Sequence, residues 1–137
     1  QQEQLAVIGA ATGQSDDTLE VLDQLADSSF LRLGEPEMLE RMYLIIQLRA
    51  ESLRSPQIME VSRRADSDLR RTALAQIMRQ AKERGEIDPF LDPESIAHVL
   101  VSAWQGLVLL KAFDPQVDVS KYLAVLKAMY HGIIRAQ

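Results

Sequence analysis

The chain of 137 residues contains no cysteine, two histidines, and only three Phe, three Tyr and one Trp. Without cysteine there is no disulfide, no thiolate zinc site, no iron–sulfur cluster and no cysteine nucleophile. A chain of this length buries roughly two thirds of its unfolded surface and needs no such staple, and the lack of disulfides fits a reducing compartment. His98 and His131 are equally unpromising as ligands or catalysts. Glu94 and His98 stand four apart, whereas bundle metal sites use Glu-x-x-His at i, i+3, twice. No G-x-S-x-G elbow, Gly-rich phosphate loop or H-E-x-x-H motif occurs. Catalytic residues, metal ligands and cofactors are therefore expected to be absent, and the chain is not read as an enzyme.

Basic charge is also short. Fifteen Lys and Arg stand against twenty Asp and Glu, a net charge of −5, which excludes a general phosphate-neutralising surface. Arg63, Arg64, Arg70 and Arg71 form at most a modest positive strip and are read as a solvated helix face with intrahelical pairs such as Asp66 with Arg70. Long apolar runs are missing too: residues 95–110 are uncharged but interrupted by His98, Ser102 and Gln105. That run falls short of a bilayer span and reads as a buried helix, with no membrane partner. The opening Gln1-Gln2-Glu3-Gln4 shows no basic region ahead of an apolar stretch, so a cytoplasmic location is expected.

What the sequence does have is helical periodicity. Apolar residues recur at three- and four-residue spacing nearly throughout, with glycine and proline between the periodic stretches. A short segment, Leu5 to Ala11, reads as the end of a helix. Ser15 or Asp16 is a plausible N-cap for a helix carrying Leu19, Leu22, Leu25, Ala26 and Phe30 on one face. Pro36 opens the next, striped by Met38, Met42, Ile45, Ile46, Arg49 and Leu53. Ser55-Pro56 opens a long helix expected to reach Arg84, polar enough over residues 62–67 to bend or fray, and stopped by Gly85. Asp92-Pro93-Glu94 is the strongest helix start in the chain. The helix from Pro93 to Phe113 and the last one, opening at Asp118-Val119-Ser120, are apolar over more than one stripe. Each is therefore expected to be buried on two sides.

The fold expected is all-α, an antiparallel bundle of five to six helices, with the last two pairing with their copies in a two-fold dimer. Met38, Met42, Met78, Tyr43, Trp104, Phe30 and Phe113 lie on apolar faces that must converge. Thioethers and aromatics of this kind fill a core or line an adaptable cavity, in which Arg49 and Gln105 would be polar anchors. Periodicity alone leaves both readings open.

The C-terminal half adds a resemblance. The run Gln80-Ala81-Lys82-Glu83-Arg84-Gly85-Glu86-Ile87-Asp88-Pro89, then Leu91-Asp92-Pro93-Glu94-Ser95-Ile96-Ala97, then Trp104-Gln105-Gly106-Leu107 resembles the C-terminal domain of TetR-family transcriptional regulators. The likeness covers about residues 56–137 by motif and the rest by helix count. It implies an effector-sensing and dimerisation domain, and a four-helix bundle made by the last two helices of each subunit. It also implies a small, largely apolar ligand of unknown identity, and operator DNA bound only by a helix-turn-helix domain that these residues do not include. On this reading residues 1–12 end a linker helix and residues 13–137 form the sensing and dimerising domain of a regulator, most simply a repressor. Phe30, Met38, Met42, Tyr43, Arg49, Met78 and Trp104 are the expected ligand-binding residues. Val101, Gly106, Val108, Leu126, Met129, Tyr130 and Ile133 are the expected dimer contacts. Gly106 costs about 1 kcal/mol inside a helix relative to Ala, and close approach of a partner helix would explain it. The rival reading is a dimeric helical carrier or interaction domain for an apolar ligand, with no DNA role.

Overall fold

A computed structural model of the chain describes residues 17–65 and 69–135, with backbone alone at positions 64, 65, 69 and 70. Six helices follow one another in these residues: α1 Thr18–Arg32, α2 Pro36–Ser52, α3 Pro56–Ala65, α4 Leu69–Glu83, α5 Pro93–Phe113 and α6 Val119–Ile133. Their starts follow from side chains that satisfy the first free N–H groups. Asp17 accepts from the Leu19 N–H at 3.0 Å, Asp92 from Ser95 at 3.0 Å and Asp118 from Ser120 at 3.0 Å. The cap of α1 is thus Asp17, one residue beyond the expected Ser15 or Asp16, both of which lie outside the described residues. Pro36 and Pro93 occupy first turns that need no donor there. Gly85 stops α4 with φ at +77°, a left-handed conformation that side chains disfavour.

Of the long helix expected from Pro56 to Arg84, the described residues give α3 and α4, and residues 66–68 between them lie outside the described residues. The expected helix end at Leu5 to Ala11 and the Asp66–Arg70 pair lie outside the described residues.

Helix α5 organises the bundle. It lies along α4 over its greatest contact and also touches α2 and α6, while α1 packs on α6 and α2 on α3. Two clusters form the core. One joins Val21 and Leu22 of α1, Leu74, Ile77, Met78 and Ala81 of α4, Ile96 and Ala97 of α5, and Tyr130 of α6. The other joins Phe30, Leu33, Trp104, Leu107 and Val108. Each large side chain withdrawn from water there contributes about 1.5–3 kcal/mol. Helix α5 feeds both clusters, which accounts for the apolar residues on its inner side. It is also long and apolar enough to cross a membrane, but it is wedged between other helices along its inner side. A short pairing of Ile87 with Ile134, with the Arg135 N–H donating to the Glu86 carbonyl at 2.7 Å, clips the α4–α5 loop to the end of α6.

Candidate functional site

The stripe of α1 begins apolar and turns polar. Leu22, Leu25, Ser29 and Arg32 recur at three, four and three, so they share one face. That face looks into a cavity of about 80 Å³ walled by four helices. From α1 come Leu22, Leu25, Ala26, Phe30 and the polar Ser28, Ser29 and Arg32. Ala73 and Leu74 come from α4, Leu100, Val101 and Trp104 from α5, and Leu126 and Tyr130 from α6. The aromatic part of the wall is fixed by an edge-to-face pair, with the Phe30 and Trp104 ring centroids 5.2 Å apart and the planes at 79°. This arrangement is favoured by the ring quadrupoles and holds both rings in one orientation. Beside the cavity, the buried Tyr130 hydroxyl donates to Asp23, and His131 Nε2 meets the same carboxylate at 2.9 Å. One turn on, Lys127 donates to Asp27 at 2.6 Å.

These contacts shape the local electrostatics. Partial burial pushes the Asp23 carboxyl up, but the Tyr130 and His131 hydrogen bonds, with the charges of His131 and Lys127, outweigh it and hold the group below its ordinary 3.8. Burial, then the hydrogen bond to Asp23, raises the Tyr130 phenol far above its ordinary 10.0. Tyr130 is thus neutral at any working pH and committed as a donor to Asp23. Among the described residues no cluster of His, Cys, Asp and Glu could hold a metal ion.

The residues anticipated as ligand contacts divide among four places. Phe30 and Trp104 line the cavity. Met42 packs behind that pair in the second cluster, Met38 is buried on α2 and Tyr43 is half-buried on the same helix. Met78 is fully buried in the first cluster. Arg49 lies instead in a groove of about 370 Å³ between α2 and α3, with Ser52, Leu53, Met59, Ser62 and Arg63. Of the residues anticipated as dimer contacts, Val108 and Tyr130 are buried inside the subunit, while Val101, Leu126 and Tyr130 line the cavity. Ile133 is half-buried, and Gly106 and Met129 face outward. Sequence reasoning missed Ser28, Ser29 and Arg32, although polar residues falling on the apolar stripe of α1 were a signal for a lined space.

A second surface lies on the outside of the same helices. Val99, Gly106, Leu109 and Phe113 share one exposed face of α5, and Tyr122, Val125, Met129 and Gly132 one of α6. Phe113 is 82% exposed and Val125 61%. A Cβ added at Gly106 or Gly132 would meet nothing within 4 Å, so nothing in the subunit accounts for either glycine. His98 is exposed, and Glu94 pairs with Arg79 at 3.2 Å.

A family model described as the tetracyclin repressor-like C-terminal domain matches residues 16–118. Comparison with curated proteins and with solved structures returned no match.

Proposed function

Because the chain belongs to the tetracyclin repressor-like C-terminal domain family, TetR, we propose that it is the effector-sensing and dimerising part of a transcriptional regulator. Its sensor site is the cavity among α1, α4, α5 and α6. One observation carries this reading: α5 presents Leu100, Val101 and Trp104 to the cavity, and Val99, Gly106, Leu109 and Phe113 to the outside. A ligand seated against the inner face therefore acts on the same helix that offers an apolar face to a second copy. A ligand shifts the population of dimer geometries only by its differential affinity for them, and a shared helix provides that difference.

In this proposal Phe30 and Trp104 touch the ligand. Met42 packs behind them, and Met38, Tyr43 and Met78 supply the packed surroundings. The dimer forms through the outward stripes of α5 and α6, with Gly106 and Met129 central to them. Operator DNA is contacted by a separate helix-turn-helix domain, the regulator acts as a repressor, and it works in the cytoplasm.

Trp104 is the chain's one tryptophan, so its emission reports on the cavity. Native mass spectrometry of co-purifying ligands, followed by titration against Trp104 emission, should show a small molecule that raises the melting temperature by mass action. A domain that neither retains nor responds to any member of a broad effector library would overturn the sensor reading. For the groove beside α3, Arg49→Ala should weaken binding of the ligand so found only if that ligand extends between α2 and α3; unchanged binding removes Arg49 from the site.

A further inference from the structure

The wall of the cavity is chemically lopsided. Its α4, α5 and α6 sides present Ala73, Leu74, Leu100, Val101, Trp104, Leu126 and Tyr130, apolar apart from the Trp104 ring nitrogen and the Tyr130 hydroxyl, which is committed to Asp23. Polar groups gather on the α1 side, where Ser28, Ser29 and Arg32 fall within the last two turns of the helix. Among the described lining residues Arg32 is the one with a formal charge, and no carboxylate lines the space. Two acids of α1 are engaged across to α6, Asp23 by the Tyr130 hydroxyl and His131 and Asp27 by Lys127.

Three physical constraints then select a ligand. An apolar site with a single guanidinium and two hydroxyls on one side suits a molecule whose body is apolar and whose one charged end is an anion. The planar guanidinium fork matches a carboxylate better than a point cation does. An engineered apolar cavity of roughly 150 Å³ holds one benzene. A space of about 80 Å³ is smaller than that, so the body can be no larger than a single ring, and the walls must yield to seat it. Finally, the crossed Phe30 and Trp104 rings offer a flat apolar surface to a flat guest. The last turn of α1 adds a discriminating detail. A helix C-terminus is the negative end of its dipole, so the helix itself repels an anion there, and the guanidinium alone must hold it.

Resting on the sensor reading above, we infer that the cavity takes a small monocyclic aryl carboxylate, its ring against Trp104 and Leu100 and its carboxylate on Arg32 beside Ser29. The ligand's carboxylate joins the contacts that Arg32 already makes within the protein.

The test uses benzoate and its neutral isostere benzamide, with Trp104 emission and melting temperature as readouts. Benzoate should change both, and benzamide should bind about tenfold more weakly, the loss expected for one charge-assisted contact. Arg32→Gln should bring benzoate down to the level of benzamide while leaving benzamide unaffected. Ala26→Phe, which fills the space, should abolish both. Equal binding of acid and amide, or benzoate binding that survives Arg32→Gln, overturns the ligand class; if Ala26→Phe still abolishes binding, the sensor site stands. Binding that persists in Ala26→Phe overturns site and class together. If neither probe binds, the class is wrong, and a co-purifying ligand lost in Ala26→Phe would keep the cavity as the sensor site.

Discussion

Among single residues, Asp23 is the most connected: it takes the Tyr130 hydroxyl and His131 Nε2 on one carboxylate and so ties α1 to α6 across more than a hundred positions. Because its pKa is lower in the fold than in the unfolded chain, its stabilisation is complete above about pH 4 and is lost as pH falls through the folded value. Tyr130 moves the other way. Its stabilisation is complete below about pH 10 and is lost as pH rises beyond that, because the unfolded phenol ionises first. The melting temperature should therefore be flat between these limits as far as this pair is concerned. Tyr130→Phe should cost about 1–2 kcal/mol at neutral pH and weaken the alkaline fall, as read by circular dichroism melts across pH. An alkaline limb unchanged by that substitution would remove Tyr130 as its source. Gly85 poses a simpler case. An added Cβ would meet nothing within 4 Å, so Gly85→Ala should cost only the left-handed backbone penalty, about 1–2 kcal/mol, measurable by urea denaturation.

For whole elements, the question is which helix faces meet. Helix α5 draws its stability from two clusters, and Trp104 sits where the second of them borders the cavity. Trp104→Ala should destabilise the domain by about 3–5 kcal/mol, whereas Trp104→Phe should keep most of the packing and the edge-to-face partner of Phe30. A cost for Trp104→Ala below about 1 kcal/mol would mean that the neighbouring helices close over the gap, contrary to a wall held by two locked rings. The Asp and Pro positions at the starts of α2, α5 and α6 were legible in the sequence because capping is local chemistry, whereas the cap of α1 is Asp17 and not the expected Ser15 or Asp16.

Across the whole molecule, the proposed self-association and the proposed sensing share α5 and α6. Val125→Asp with Met129→Glu should turn the dimer into a monomer in sedimentation velocity, because charges in the middle of a buried apolar stripe lose their hydration. A parent chain already monomeric at high micromolar concentration would overturn the proposed interface. Gly106→Ala separates the two levels. Within one subunit it should add up to about 1 kcal/mol of helix propensity, since open space surrounds the site. If a partner helix lies close at that position, the same methyl group should weaken association, so dimer dissociation would rise with Gly106→Ala in concentration-dependent melts.

The sequence by itself determined the all-α class, most helix starts, the Gly85 stop and the apolar excess of the last two long helices. These depend on residues within a turn or two of one another: a cap, a left-handed glycine, a repeat of three and four. It also carried the motif order of the C-terminal half, which the family match now covers together with most of the region before it. Tertiary structure alone decided which residues share a space. Helical periodicity says that Met42, Met78 and Arg49 each sit on an inward stripe, but not that they end respectively behind the aromatic pair, in the first core and in a groove by α3. The cavity depends on how four helices tilt around Phe30 and Trp104, and the Asp23–His131 contact on two helices at opposite ends of the chain meeting. Such long-range placements depend on the summed packing of every neighbour, and no local pattern encodes that sum.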